Sequence, residues 1–287
     1  MASFIDDTRV EKSADTNSWS ASVSPEWAVW GPNGGYMAAI AFRAMMNASR
    51  LPRPASFHCH FLAVGQFAPV EIRVQQLGGG KRAESLRADV MQGDRMLLAA
   101  TAWIVDDGLD GYQHDFAAAP AVSGPDAFQS YKALAGDEYA QWYPIWRSME
   151  GRPLRWRQPP GPPVSQTWMR FTDTAISNRA DDALRQIFWM DFPGWNATIS
   201  AHAWPFRYLT PNLDLTIQFH QFAPDEEWAL IDGNVPVAAD GLVGCCARLW
   251  TPDGRLLATG TSKHTCRRNP NYEQELERAR AEGLLTE

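Results

Sequence analysis

Three places in the chain combine residue types that could do chemistry. The first is GPNGGYMAAIAFRAM, Gly31 to Met45, where three glycines and a proline precede a small, apolar run. A glycine-rich loop cradles phosphate when a strand feeds it and a Lys-Ser/Thr pair follows it. Neither condition is met here. Asn33, Gly34, Gly35 and Tyr36 therefore read as the start of a helix, whose first N–H groups have no intrahelical partner. The glycines either permit tight packing or let another group come close to those donors.

The second place is His58-Cys59-His60. At strand spacing both histidines point to one face. A metal would need more ligands, and no carboxylate or third ligand is spaced with them, so no metal is expected. The third is Asp191 in WMDFPGW. Asp before Pro-Gly suits a helix N-cap. The same residue in an apolar pocket would be a carboxylate with raised pKa. Two further signals carry no chemistry. GGGK, Gly78 to Lys81, lies between two alternating strands and reads as a hairpin turn. Cys59, Cys245, Cys246 and Cys266 contain no C-x-x-C pair and read as reduced, structural thiols.

Composition narrows the class. Of 287 residues, 45% are hydrophobic and 21% charged, as in a packed globular protein. Thirteen tryptophans predict wide apolar surfaces or an apolar pocket. A net charge of −7 argues against nonspecific binding of nucleic acid. No secretory signal is visible, and no apolar run reaches the roughly 18 residues that span a bilayer. The expectation is a cytoplasmic protein with no membrane partner.

The elements that must position these residues follow a repeat. Asn33 to Ser49 predicts a helix whose single ionisable residue, Arg43, implies burial on most sides. Alternating strands follow, at Val70–Gln75, Leu86–Val90 and Arg95–Val105. The second half repeats this order. QFAP recurs at Gln66–Pro69 and Gln221–Pro224, and RMLLAATA (Arg95–Ala102) resembles RLLATGTS (Arg255–Ser262) at nearly the same offset. Two matches in register predict duplication. FWMDFPGWNATISAHAW, Phe188 to Trp204, fills the helix slot of the second half. Asn212 and Asp214 are expected to share a strand face, as are Ser262 and His264. Each half is thus one apolar helix wrapped by antiparallel strands, an α+β arrangement.

In this order and spacing the chain resembles the thioesterase-like superfamily related to acyl-CoA thioesterase II. The matching stretches include GPNGGYMAAIAFRAM, FHCHFLAVGQFAPVEIRV, NLDLTIQFHQFAPDEEWALID and GLVGCCARLWTPDGRLLATGTSKH. The resemblance implies a double hotdog. Its N-terminal hotdog would span 1–107 and its C-terminal hotdog 166–268. A proline-rich connector (108–165) would join them, and a charged, helical tail (269–287) would follow.

It also implies hydrolysis of an acyl-CoA, or a related acyl thioester, to free acid and thiol by direct water attack, in fatty acid metabolism, with no cofactor. Asp191 falls on the family's acid, Asn212 on its Thr or Ser and Ser262 on its Gln, the three groups that position the water. Only the Asp is retained, although Asn and Ser still donate and accept. Asn33, Gly34, Gly35 and Tyr36 would offer a backbone N–H to the thioester oxygen, and His58 and His60 would line the first-half pocket. Lys81, Arg82, Arg267 and Arg268 are available for CoA phosphates. The alternative is a non-catalytic acyl-CoA or hydrophobic-ligand binding protein with a degenerate site. Two hotdogs in one chain are compatible with a monomer or a homo-oligomer.

Overall fold

The computed structural model describes residues 3–14 and 17–281. Twelve strands form a single antiparallel sheet. The first half contributes β1 (Glu11–Lys12), β2 (Ser18–Ala21), β3 (Arg53–Phe61), β4 (Val70–Gly79), β5 (Ala83–Gln92) and β6 (Arg95–Val105). The second half contributes β7 (Met149–Pro153), β8 (Val164–Phe171), β10 (Asn212–Phe219), β11 (Ala229–Ala239), β12 (Leu242–Trp250) and β13 (Leu256–Thr265). Their order is β1-β2-β4-β5-β6-β3-β10-β13-β12-β11-β8-β7. Read outward from the central β3–β10 pair, the two halves have the same order, so the duplication is a structural one. Short strands β9 (Tyr208–Leu209) and β14 (Arg267–Arg268) pair separately.

The sheet wraps two central helices, α2 (Gly34–Ala48) and α4 (Arg179–Met190). Helix α2 matches its expected span, with Asn33 as N-cap accepting from the Tyr36 N–H at 2.9 Å. Ten of its residues are buried, as its near-lack of charge requires. The second central helix departs from expectation. It starts at Arg179 and ends at Met190, and a short helix α5 (Pro193–Ile199) follows. Asp191 therefore closes one helix instead of capping the start of one. Polar residues disguise α4 in the sequence: Asp181, Asp182, Arg185 and Gln186 are all buried in it. Gly35 lies against the C-terminal end of α4, while Arg43 bonds Asp181 near its start, so the two helices run antiparallel.

Helix α1 (Phe4–Asp7) seats Phe4 in the core against Trp27, Phe171 and Phe188. The connector is ordered. It holds α3 (Tyr131–Ala135), a 3₁₀ turn over Gly136–Gln141 and the edge strand β7. Helix α6 (Tyr272–Ala281) occupies the tail, and 282–287 lie outside the described residues. No helix among the described residues is long and apolar enough to cross a membrane.

Candidate active site

The start of α2 and the end of α4 meet at Asp191. The Gly35 N–H donates to Oδ2 at 2.9 Å and the Asn33 side-chain amide donates to the same oxygen at 3.2 Å. The Asn212 amide donates to Oδ1 in a short contact. Contact this close requires glycine at 35. A Cβ there would lie 2.9 Å from both Asp191 Cβ and the Phe188 carbonyl oxygen. All three donors are neutral. Burial dominates, and it pushes the Asp191 carboxyl up from 3.8 to about 6, with the three hydrogen bonds pulling the other way.

Asn212 reaches Asp191 because of a bulge. On β10, Leu215, Ile217 and Phe219 face the core while Asp214, Thr216 and Gln218 face out. Strict alternation would put Asn212 outside as well. Opposite β13, however, Asn212 pairs with His264 and Asp214 with Lys263, so Leu213 is an inserted residue. The insertion turns Asn212 inward, as bulges beside functional sites do. The expected shared face of Asn212 and Asp214 is thus corrected. Asp214 instead accepts from the Lys263 N–H at 2.9 Å.

Asp191, Asn33, Gly34 and Asn212 line one cavity of about 1240 Å³. Its walls are rich in aromatic rings, most of them from three regions: the loop before α2, the connector, and α5 with the segment after it. Six of the thirteen tryptophans lie on it, namely Trp30, Trp142, Trp146, Trp156, Trp195 and Trp204. The connector's part in this wall was not legible in the sequence, where its proline content and a short helix candidate near Ala127 to Tyr143 were all that stood out. Its cluster of Trp142, Trp146 and Trp156 is the signal that could have revealed it.

The other candidates sit elsewhere. Ser262 is buried on β13 and bonds His264 Nε2 at 2.8 Å, and His264 Nδ1 meets the Thr210 carbonyl at 3.0 Å. The pair thus shares a face as expected, but neither residue lines the cavity. Gly194 of α5 covers His264 closely, since a Cβ there would fall 2.1 Å from Nε2. Tyr36 is fully buried and turns away, its hydroxyl donating to the Asp7 carbonyl at 2.8 Å.

His58 and His60 lie on the outer face of β3, opposite to Phe57 and Cys59, so they cannot line the pocket as the resemblance implied. Their Nε2 atoms are 3.2 Å apart, and His58 Nδ1 is 2.8 Å from Thr216 Oγ1. Of the four basic residues named for CoA phosphates, Arg267 lies at the cavity, whereas Lys81, Arg82 and Arg268 do not line it.

Comparison with known proteins identifies the family and the fold. The profile of the acyl-CoA thioesterase N-terminal domain matches residues 23–105, and that of the C-terminal domain matches residues 115–263. Among solved structures, the chain is similar to acyl-CoA thioesterase II TesB2 of Mycobacterium marinum. Identity is 19%, TM-score 0.76, and the match covers 94% of this chain and 100% of that one. The tesB protein of Mycobacterium avium subs paratuberculosis gives 18% identity and TM-score 0.75, over 92% and 98% of the two chains. A protein with hot dog fold from Alicyclobacillus acidocaldarius gives 20% and 0.78, over 94% and 99%. At these identities the structures speak for the fold. No curated protein sequence matches the chain. The two domain profiles together span both hotdogs, and on them the chain belongs to the acyl-CoA thioesterase family, as a thioester hydrolase of double-hotdog fold.

Proposed function

We propose that the protein hydrolyses an acyl-CoA to free acid and CoA by direct attack of water, with Asp191 as the base. The observation that carries this reading is a carboxylate on the cavity wall, held by three neutral donors and raised to about 6. An ionised carboxylate has about four acceptor sites. Gly35 and Asn33 occupy both on Oδ2, and Asn212 occupies one on Oδ1. The fourth, on Oδ1, is the acceptor this reading assigns to the attacking water.

In the reaction, Asp191 takes a proton from that water as its oxygen bonds to the thioester carbonyl carbon. Charge then develops on the carbonyl oxygen. This reading assigns stabilisation of that charge to the Gly34 N–H, at the first position of α2 and on the cavity wall. The tetrahedral intermediate collapses, the C–S bond breaks, and the thiolate leaves with the proton from Asp191. Asn33 and Asn212 act through Asp191, fixing its orientation. Ser262 has no part in this scheme, because its hydroxyl is engaged by His264.

Release of free thiol from a panel of acyl-CoAs tests the reading. Turnover above the spontaneous rate supports it. Measurable binding of acyl-CoA with no turnover of any acyl group would favour the non-catalytic binding protein instead.

A further inference from the structure

We propose that the acyl group this cavity selects carries an aryl ring, in preference to a straight alkyl chain of equal carbon number. The inference rests on the hydrolase reading of the same cavity and specifies its substrate. Rings packed edge-to-face or tilted against one another contribute to two of its walls. On the connector wall, Trp142 lies 5.3 Å from Trp146 and 5.9 Å from Trp156 between ring centroids. That wall reaches Phe192, the residue after Asp191, with Trp146 at 6.3 Å. On the other wall Trp195 packs on Trp30 at 6.1 Å, and the Trp30 indole N–H donates to the Tyr143 hydroxyl at 2.8 Å. Phe192, which follows Asp191 in the chain, lines the same cavity as Trp146 and Trp195, and on this proposal the acyl group bound beside Asp191 packs among these rings.

Three physical points favour a ring there. Tryptophans locked by their neighbours do not fold inward to close around a thin chain, so the slot keeps its width. At about 1240 Å³ it exceeds the volume of ordinary small-ligand pockets, roughly 300–1,000 Å³, and leaves room for a bulky group. Offset and edge-to-face ring contacts add to plain burial, and an aryl group has fewer rotors to freeze than an alkyl chain. Two such contacts together amount to about a tenfold preference.

The test compares phenylacetyl-CoA with octanoyl-CoA, which carry equal acyl carbon counts. We expect kcat/KM about tenfold higher for the aryl substrate, and a ratio below about threefold overturns the proposal. Non-hydrolysable thioether analogues of both, titrated by tryptophan fluorescence, give the same ratio as Kd without turnover. An enzyme that binds the aryl analogue more tightly but releases no thiol would sink the hydrolase reading and leave this one standing. Equal or tighter binding of the octyl analogue, or binding of neither, overturns this one. In Trp142→Leu the ratio should fall toward one, and Trp195→Leu provides the same test from the opposite wall. A full ratio in both folded variants removes these walls as its source.

Discussion

The α2–α4 pair has two ends, and both hold carboxylates. At one end Asp191 meets only amide donors and faces a cavity. At the other, Asp181 and Asp182 meet guanidinium groups and face packed protein. Arg43 bonds Asp181 at 3.2 Å, and the same nitrogen reaches Thr8 Oγ1 at 3.0 Å, where α1 covers that end. Arg185 bonds Asp182 with Nε at 2.9 Å, and Asp182 also accepts from the Gln186 amide and the Ala223 N–H. A charge whose opposite sign is built in holds elements together. A charge with neutral donors alone retains basicity and room for a water. With Asp191 as the proposed base, the duplicated fold uses equivalent ends of one helix pair for opposite purposes.

The largest effect should come from breaking the closed end. Asp182→Ala leaves the fully buried Arg185 without its counter-charge and the Ala223 N–H without its acceptor. Removing one partner of a buried pair costs about 3–5 kcal/mol. Denaturant unfolding measures this, and a loss under about 1 kcal/mol would mean that the pair contributes little. Activity should survive wherever the variant remains folded, since the two ends do separate work.

At the open end the expectation reverses. Asp191→Asn should lower kcat about a hundredfold or more by removing the base, and an unchanged rate takes Asp191 out of the mechanism. Stability carries its own signature. Asp191 is raised in the folded state from 3.8 to about 6, so between these values the folded protein holds the extra proton. Its contribution to stability is present at acid pH and is lost as pH rises through about 6, by about 3 kcal/mol in all. The unfolding free energy of wild type relative to Asp191→Asn should therefore decline from pH 4 to pH 7. Activity runs the other way, rising through about pH 6 as the base ionises. A flat difference in stability would mean that the carboxyl is not desolvated.

These contrasts also explain what the sequence could reveal. The apolar α2, the strand alternation and the paired QFAP segments follow simple periodicities, so the duplicated architecture was legible. Asp191 was singled out by the resemblance, since Asp before Pro-Gly by itself pointed only to a helix cap. Helix α4 was not, because its buried Asp181, Asp182, Arg185 and Gln186 look like a solvated face until their partners are known. The inward turn of Asn212 was hidden too, since one inserted residue, Leu213, reverses every side chain on that side of the bulge. His58 and His60 failed for a related reason: alternation puts them together on one face but does not say which face is inside. Ser262 was placed by the resemblance, and its bond to His264 depends on two side chains meeting under α5.

A smaller effect tests how closely the helix ends must approach. In Gly35→Ala the new methyl meets Asp191 Cβ and the Phe188 backbone, neither of which can swing aside. Overpacking of this kind costs about 1–3 kcal/mol. The helix ends should part and weaken the Gly35 N–H bond to Asp191, so activity should fall along with the midpoint of thermal unfolding. Full stability in this variant would show that the α2–α4 contact is looser than described.

The smallest effect isolates the role of the bulge. Asn212→Ala removes one of the three donors that hold the Asp191 carboxylate below the value burial alone would give. The pH midpoint of kcat should move above 6, by up to about one unit. Because Asn212 acts through Asp191, the rate on the high-pH plateau should stay within about threefold of wild type. A plateau that drops much further while the midpoint stays fixed would place Asn212 on the attacking water. An unchanged profile in both respects would mean that turning Asn212 inward serves the packing of β10 and not the acid beside it.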